Sequence, residues 1–193
     1  MIGHALTFLK NQLNQHLLTT SGWTPDQPPE ERAVFPDGEK MDPISFPMGA
    51  VSLVLVNMEQ DNTLRPADLY SRATIGGGKE QVQPQIRLNL HVLFVASFKD
   101  YADSLHNLSG VIAFFQANRV FNHQTAPALH ADIEMLLVEL TSLPFAQQNE
   151  VWSALRTTYQ PSVLFKVKLL SFQDSGQPGA VETEEMALNT QSN

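Results

Sequence analysis

His123, His130 and Asp132 flank a loop containing Pro127 and are residue types that can hold a divalent metal. Their spacing matches no metalloprotease or zinc-finger pattern. None of the six histidines (His4, His16, His91, His106, His123, His130) stands four residues from another, and His4 and His16 lie about 120° apart around one helix. Surface loop histidines are the preferred reading, and no metal ligand is assigned. Gly76-Gly77-Gly78-Lys79 resembles part of a phosphate-binding loop, but that loop needs a glycine where Ala73 stands and a hydroxyl where Glu80 stands. A flexible hairpin tip explains the glycines better. Asp100 and Asp103 could pair as acid and base, yet helix capping accounts for both. Ser109 lies in no nucleophile elbow and precedes Gly110 in the middle of a helix, where a small residue marks close helix packing. With no cysteine, thiolate metal sites, disulfides and cysteine nucleophiles are excluded, which fits a reducing compartment. The residues build no active site, so no catalytic, cofactor-binding or metal-binding residue is assigned.

The elements that would position these residues are legible from periodicity. Ile2, Leu6, Leu9, Leu13 and Leu17 recur at helical steps and predict a first helix that stops near Gly22. Residues 19–49 then carry Pro25, Pro28, Pro29, Pro36, Pro43 and Pro47, half of the chain's 12 prolines. Such density opposes helix and sheet alike and predicts an extended arm. Its apolar residues Trp23, Val34, Phe35, Ile44 and Phe46 suit a segment lying on its own domain or on a neighbour. A strand over Ala50–Met58 is apolar on both faces and is expected to be central. A long loop over 62–83, tipped by Gly76–Gly78, leads to a strand over Pro84–Ser97. There Ile86, Leu88, Leu90, Val92, Phe94 and Ala96 form one apolar face, and Leu93 and Val95 are also buried.

Asp100 is the expected N-cap of a second helix with an inward stripe of Tyr101, Leu105, Leu108, Ile112 and Phe115, ending near Asn118. A short segment at Val120–Phe121, a strand over Ile133–Ser142, a helix over Pro144–Tyr159 and a strand over Pro161–Phe172 follow. Residues 173–193 read as a flexible acidic tail. The order α-β-β-α-β-α-β implies an α+β fold: a single mixed sheet of about four to five strands with three helices packed on it. The chain of 193 residues has 42% hydrophobic and 17% charged residues, enough for one packed domain, placed at 1–172. Twenty acidic against 12 basic residues give a net charge of -8, which argues against nucleic-acid binding. No apolar run approaches the ~20 residues that a membrane span needs.

Several blocks, in order, carry a resemblance. Ser52–Glu59 (SLVLVNME) with Thr63-Leu64-Arg65, Leu88–Phe98 (LNLHVLFVASF) with Asp100-Tyr101, and Val111–Asn118 (VIAFFQAN) with Val120-Phe121 make up the first three. Trp152–Leu155 (WSAL) and Tyr159–Val167 (YQPSVLFKV) continue it. Across residues 1–172 the chain resembles the cap, or tube-terminator, proteins of phage-tail-like contractile injection systems. The resemblance implies a tail-terminator-like fold and a non-enzymatic role. It implies a homo-hexameric ring that closes the inner tube distal to the baseplate, contacts the last sheath ring and fixes particle length. The implied partners are the inner tube protein and the sheath protein. The implied setting is assembly in the bacterial cytoplasm within an injection particle, with extracellular release left open.

Trp23, Phe35, Phe46, Gly76, Gly77, Gly78, Lys166 and Lys168 are the candidate assembly contacts, and a partner strand is expected at a sheet edge near 161–172. The alternative is a non-enzymatic adaptor or chaperone module that binds a toxin cargo or a tube or sheath subunit.

Overall fold

The computed structural model describes residues 1–20, 31–39, 42–61, 71–73, 79–81 and 87–171. Contacts divide the chain into two compact units, Met1–Leu64 with Gln85–Phe172, and Arg65–Pro84 with Gln173–Asn193.

In chain order the elements are α1 (Ile2–Thr20), β1 (Ala33–Val34), β2 (Ala50–Gln60), β3 (Ser71–Ala73), β4 (Lys79–Gln81), β5 (Arg87–Ser97), α2 (Tyr101–Ala117), β6 (Val120–Asn122), β7 (Ile133–Thr141), α3 (Phe145–Ala154) and β8 (Ser162–Ser171). In the second unit, β3 and β4 pair antiparallel, with Ala73 opposite Lys79. The glycine tip expected between them, Gly76–Gly78, lies outside the described residues.

The first unit holds a six-stranded sheet in the order β1-β2-β5-β8-β7-β6. β1 runs parallel to β2 and the other pairs are antiparallel, so the sheet is mixed. The expected four to five strands are therefore corrected to six, because two short strands line the edges. β1 arises inside the proline-dense arm. The Asn14 side chain accepts from the amides of Arg32 (2.7 Å) and Ala33 (3.2 Å), and Val51 donates to the Arg32 carbonyl (2.7 Å). A proline two residues beyond β1, Pro36, has no amide to continue a ladder. β6, the segment expected at Val120–Phe121, pairs with Met135–Leu137 of β7.

One face of the sheet, the inner face, is covered by α1 and α2. Leu9, Leu13 and Leu17 are buried as expected, joined by Ala5 and Phe8, while Ile2 and Leu6 sit at the margin. From β5, Leu90, Val92, Phe94 and Ala96 face this core, and Phe94 meets the rings of Phe115 (5.3 Å) and Phe165 (5.5 Å). Asp100 caps α2, accepting from the Ala102 amide at 2.9 Å.

The expected α2 stripe needs a correction. The buried residues are Ser104, Leu108, Val111, Phe114 and Phe115, whereas Tyr101 (65%) and Leu105 (45%) are exposed. The inward face runs through 104, 108, 111 and 115, and Ser104 holds the first of these places with its hydroxyl donating to the Asp100 carbonyl at 3.4 Å.

Among the described residues, a second apolar cluster covers one end of the outer face. There Val54, Leu93, Val95 and Leu164 pack with Trp152 of α3 and with Ile44 and Phe46 of the arm. A register shift between Leu55 and Asn57 breaks the simple alternation read along β2, and beyond it Asn57 and Glu59 stand opposite His91 and Asn89. α3 is shorter than the expected 144–159, because Arg156 adopts a left-handed backbone (φ 54°) that a helix cannot continue. β8 lies between β5 and β7, so the edge expected near 161–172 is closed. Among the described residues no helix is long and apolar enough to cross a membrane.

Candidate assembly surfaces

β5, β7 and β8 present their polar alternates on the end of the outer face away from the Trp152 cluster, where the side chains are half-buried. Lys166 stands opposite His91 on one side and Glu139 on the other, and Lys168 stands opposite Asn89 and Leu137. Glu139 Oε2 pairs with both lysines, 3.1 Å from Lys168 Nζ and 3.8 Å from Lys166 Nζ. His91 Nε2 lies 3.6 Å from Glu59 Oε2, and Asn57 donates to the other Glu59 oxygen at 3.1 Å. A row of acid, imidazole, bases and acid thus crosses four strands. Beside it the buried Oδ1 of Asn89 has no hydrogen-bond partner among the described residues. Sequence alternation marks Lys166 and Lys168 as outward-facing. It cannot show Glu139 between them, because that pairing is set by the β7–β8 register.

At the covered end the surface is aromatic. Trp152 is buried and meets Phe46 edge to face at 6.2 Å and Tyr159 at 5.4 Å. Phe145 is 91% exposed, and Phe145, Gln148, Asn149, Trp152 and Tyr159 line a shallow groove. The arm is tied alongside by Arg156, whose Nη1 donates to both carboxylate oxygens of Asp42 (2.8 and 3.0 Å).

Of the expected contact residues, Phe46 is buried and serves this chain's own core. Phe35 is 39% exposed, and its ring carries Lys10 Nζ 5.8 Å from the centroid. Trp23 and Gly76–Gly78 lie outside the described residues. Sequence reasoning missed Phe145 and Tyr159; Phe145 directly after Pro144, on the first turn of a helix, was the available signal.

The side chains with catalytic potential are placed as follows. His123 Nε2 contacts the Ile133 carbonyl at 2.9 Å and leaves the expected trio. His130 and Asp132 come together (3.4 Å), and His4 joins them in place of His123, its ring stacked on that of His130 at 3.7 Å. Ser109 donates to the Leu105 carbonyl at 2.8 Å, within its own helix. A Cβ on Gly110 would stand 3.1 Å from a Leu17 methyl, the close α1–α2 approach expected there.

In comparison with solved structures, the chain is similar in fold to the extended-state sheath/tube terminator of PVC, an extracellular contractile injection system. That match has 16% identity, a TM-score of 0.55 and 100% coverage of this chain. The chain spans 65% of that protein's length. It also matches the tube-terminating cap of the anti-feeding prophage at 17% identity and a TM-score of 0.43, over 66% of this chain and 44% of that one. No curated protein matches the chain. The model of the Pvc16 N-terminal domain family matches residues 4–183. By that match, which takes in α1 from its third residue and every strand of the sheet, the chain belongs to the Pvc16 N-terminal domain family.

Proposed function

We propose that this chain is a structural, non-enzymatic cap of a contractile injection system. It closes the inner tube at the end distal to the baseplate as a ring of six copies, contacts the last sheath ring and so fixes particle length. The family match over residues 4–183 carries this reading, and the whole-chain likeness to a sheath/tube terminator supports it. A ring of identical subunits closes only through two different, complementary patches on each copy. The charged row of the outer face and the aromatic groove of α3 are each candidate surfaces for contact with a neighbour. Phe35, Trp23 and the Gly76–Gly78 tip are further contacts to a neighbour or to the tube. Residues 1–172 form the ring-building domain, and 173–193 act as a tail that engages the sheath. The particle assembles in the bacterial cytoplasm and acts after release.

Native mass spectrometry with negative-stain imaging, on the chain alone and mixed with tube ends, tests the ring. The expected result is a six-fold species with a central hole. A chain that stays monomeric and binds neither tube nor sheath subunit overturns the reading.

A further inference from the structure

His4, His130 and Asp132 come from segments about 126 residues apart in the chain, the first turn of α1 and the connection from β6 to β7, yet each offers a ligand atom within 4.8 Å of the others. We infer that they form a binding site for one divalent cation of the zinc class, which clips the start of α1 to that connection. The spacing of the fixed pair fits. His130 Nδ1 lies 3.4 Å from Asp132 Oδ2, and a tetrahedron with bonds of about 2.1 Å has an edge of about 3.4 Å. The Asp132 amide donates to the same Nδ1 at 3.2 Å, so that nitrogen presents a lone pair rather than a proton. A cation between nitrogen and carboxylate replaces this bond with coordination.

His4 supplies the third ligand. Its ring stacks on His130 with the planes 24° apart, a geometry that does not itself point both lone pairs at one ion. Both rings are exposed, so His4 turns about its side-chain bonds without disturbing the core. Two imidazoles and one carboxylate select zinc, nickel or copper over magnesium and calcium, which prefer oxygen. The remaining position stays open to water. The other histidines are engaged or placed elsewhere: His123 with the Ile133 carbonyl, His91 beside Glu59, His16 against the Phe114 ring, and His106 on the exposed side of α2.

The test is calorimetric titration of the full chain with zinc chloride after removal of metals with a chelator, together with melting curves. One ion per chain is expected. The melting temperature should rise by about 5–10 °C at a hundredfold excess of zinc over its dissociation constant, and magnesium should give no rise. His4→Ala and His130→Ala should each lose at least tenfold in affinity and most of the rise. His106→Ala should keep both. Both variants remove exposed rings, and circular dichroism of the metal-free proteins checks that they fold. Should either variant fail to fold, Asp132→Asn takes its place. Absence of saturable binding at one ion per chain overturns the site, as does equal binding by the His4→Ala/His130→Ala double variant. Neither result bears on the cap reading, because the site makes no use of ring, tube or sheath.

Discussion

The same strands build two very different faces. On β5, Leu90, Val92, Phe94 and Ala96 enter an inner core that α1 and α2 seal along its length. Their alternates divide in two: Leu93 and Val95 pack under Trp152, while Asn89 and His91 belong to a polar row. The inner face carries a connected aromatic cluster, with Phe94, Phe114, Phe115 and Phe165 linked at ring separations of 4.9–5.5 Å. The outer face pairs a small aromatic core with charges that satisfy one another across strands. Stability is therefore concentrated on one side of the sheet, and chemically varied surface on the other. Such a division lets residues of the outer face change without loosening the fold.

The sharpest way to break the comparison is to empty the inner core. Phe94 is fully buried between two rings, so Phe94→Ala should cost about 3–5 kcal/mol in urea denaturation. Trp152→Ala is the outer counterpart. Its cluster is smaller and borders the exposed Tyr159 and Phe145, so water and neighbours can refill the space. The expected cost is about 3 kcal/mol, at the low end for a buried aromatic. A larger loss for Trp152→Ala than for Phe94→Ala would reverse the ranking of the two faces.

Asp100 satisfies one free amide at the start of α2, that of Ala102, and Asp100→Ala should cost about 1 kcal/mol. Because α2 seals the inner core, the loss should appear in global unfolding and not only as local fraying. Hydrogen exchange of the first α2 turn, compared with the denaturation midpoint, separates the two.

How much of the molecule is legible in its sequence differs between the faces, for a physical reason. The inner face follows from hydrophobic period: Leu9, Leu13 and Leu17 on α1 and the apolar alternation of β5 are enough to identify it. The α2 stripe departs from its apparent period because Ser104 is buried where an apolar residue is expected, and Tyr101 and Leu105 stand on the neighbouring stripe. The outer face depends on cross-strand register. No periodicity places Glu139 beside Lys166 and Lys168, since the pairing is fixed by strands that meet only after β8 inserts between β5 and β7. The same insertion closes the edge expected near 161–172. β1 is hidden because two residues within a proline-rich arm make no pattern, and the Asn14 side chain that holds it is distant in sequence. His4 joins His130 for the same kind of reason, brought there by how α1 lies on the sheet.

The smallest expected effect on stability sharpens the comparison most. Glu139 is the shared partner of Lys166 and Lys168, and all three side chains keep about a third of their surface in water. Ion pairs that keep contact with water contribute about 0–1 kcal/mol, and salt screens them. Glu139→Gln should therefore lower stability by less than about 1 kcal/mol at low salt, and by less again at high salt. Its cost comes mainly from leaving two like charges side by side on one strand. If the charged half of the outer face takes part in the proposed ring closure, the same change should disturb six-fold assembly in native mass spectrometry well beyond its effect on unfolding. The uncompensated lysines would then have to be matched across a subunit boundary. A variant that assembles normally would assign the charged row to the chain alone and leave the aromatic groove of α3 as the outer-face surface for a neighbour. A loss of several kcal/mol in denaturation would instead show that the row is part of the core, and the division between the two faces would fail.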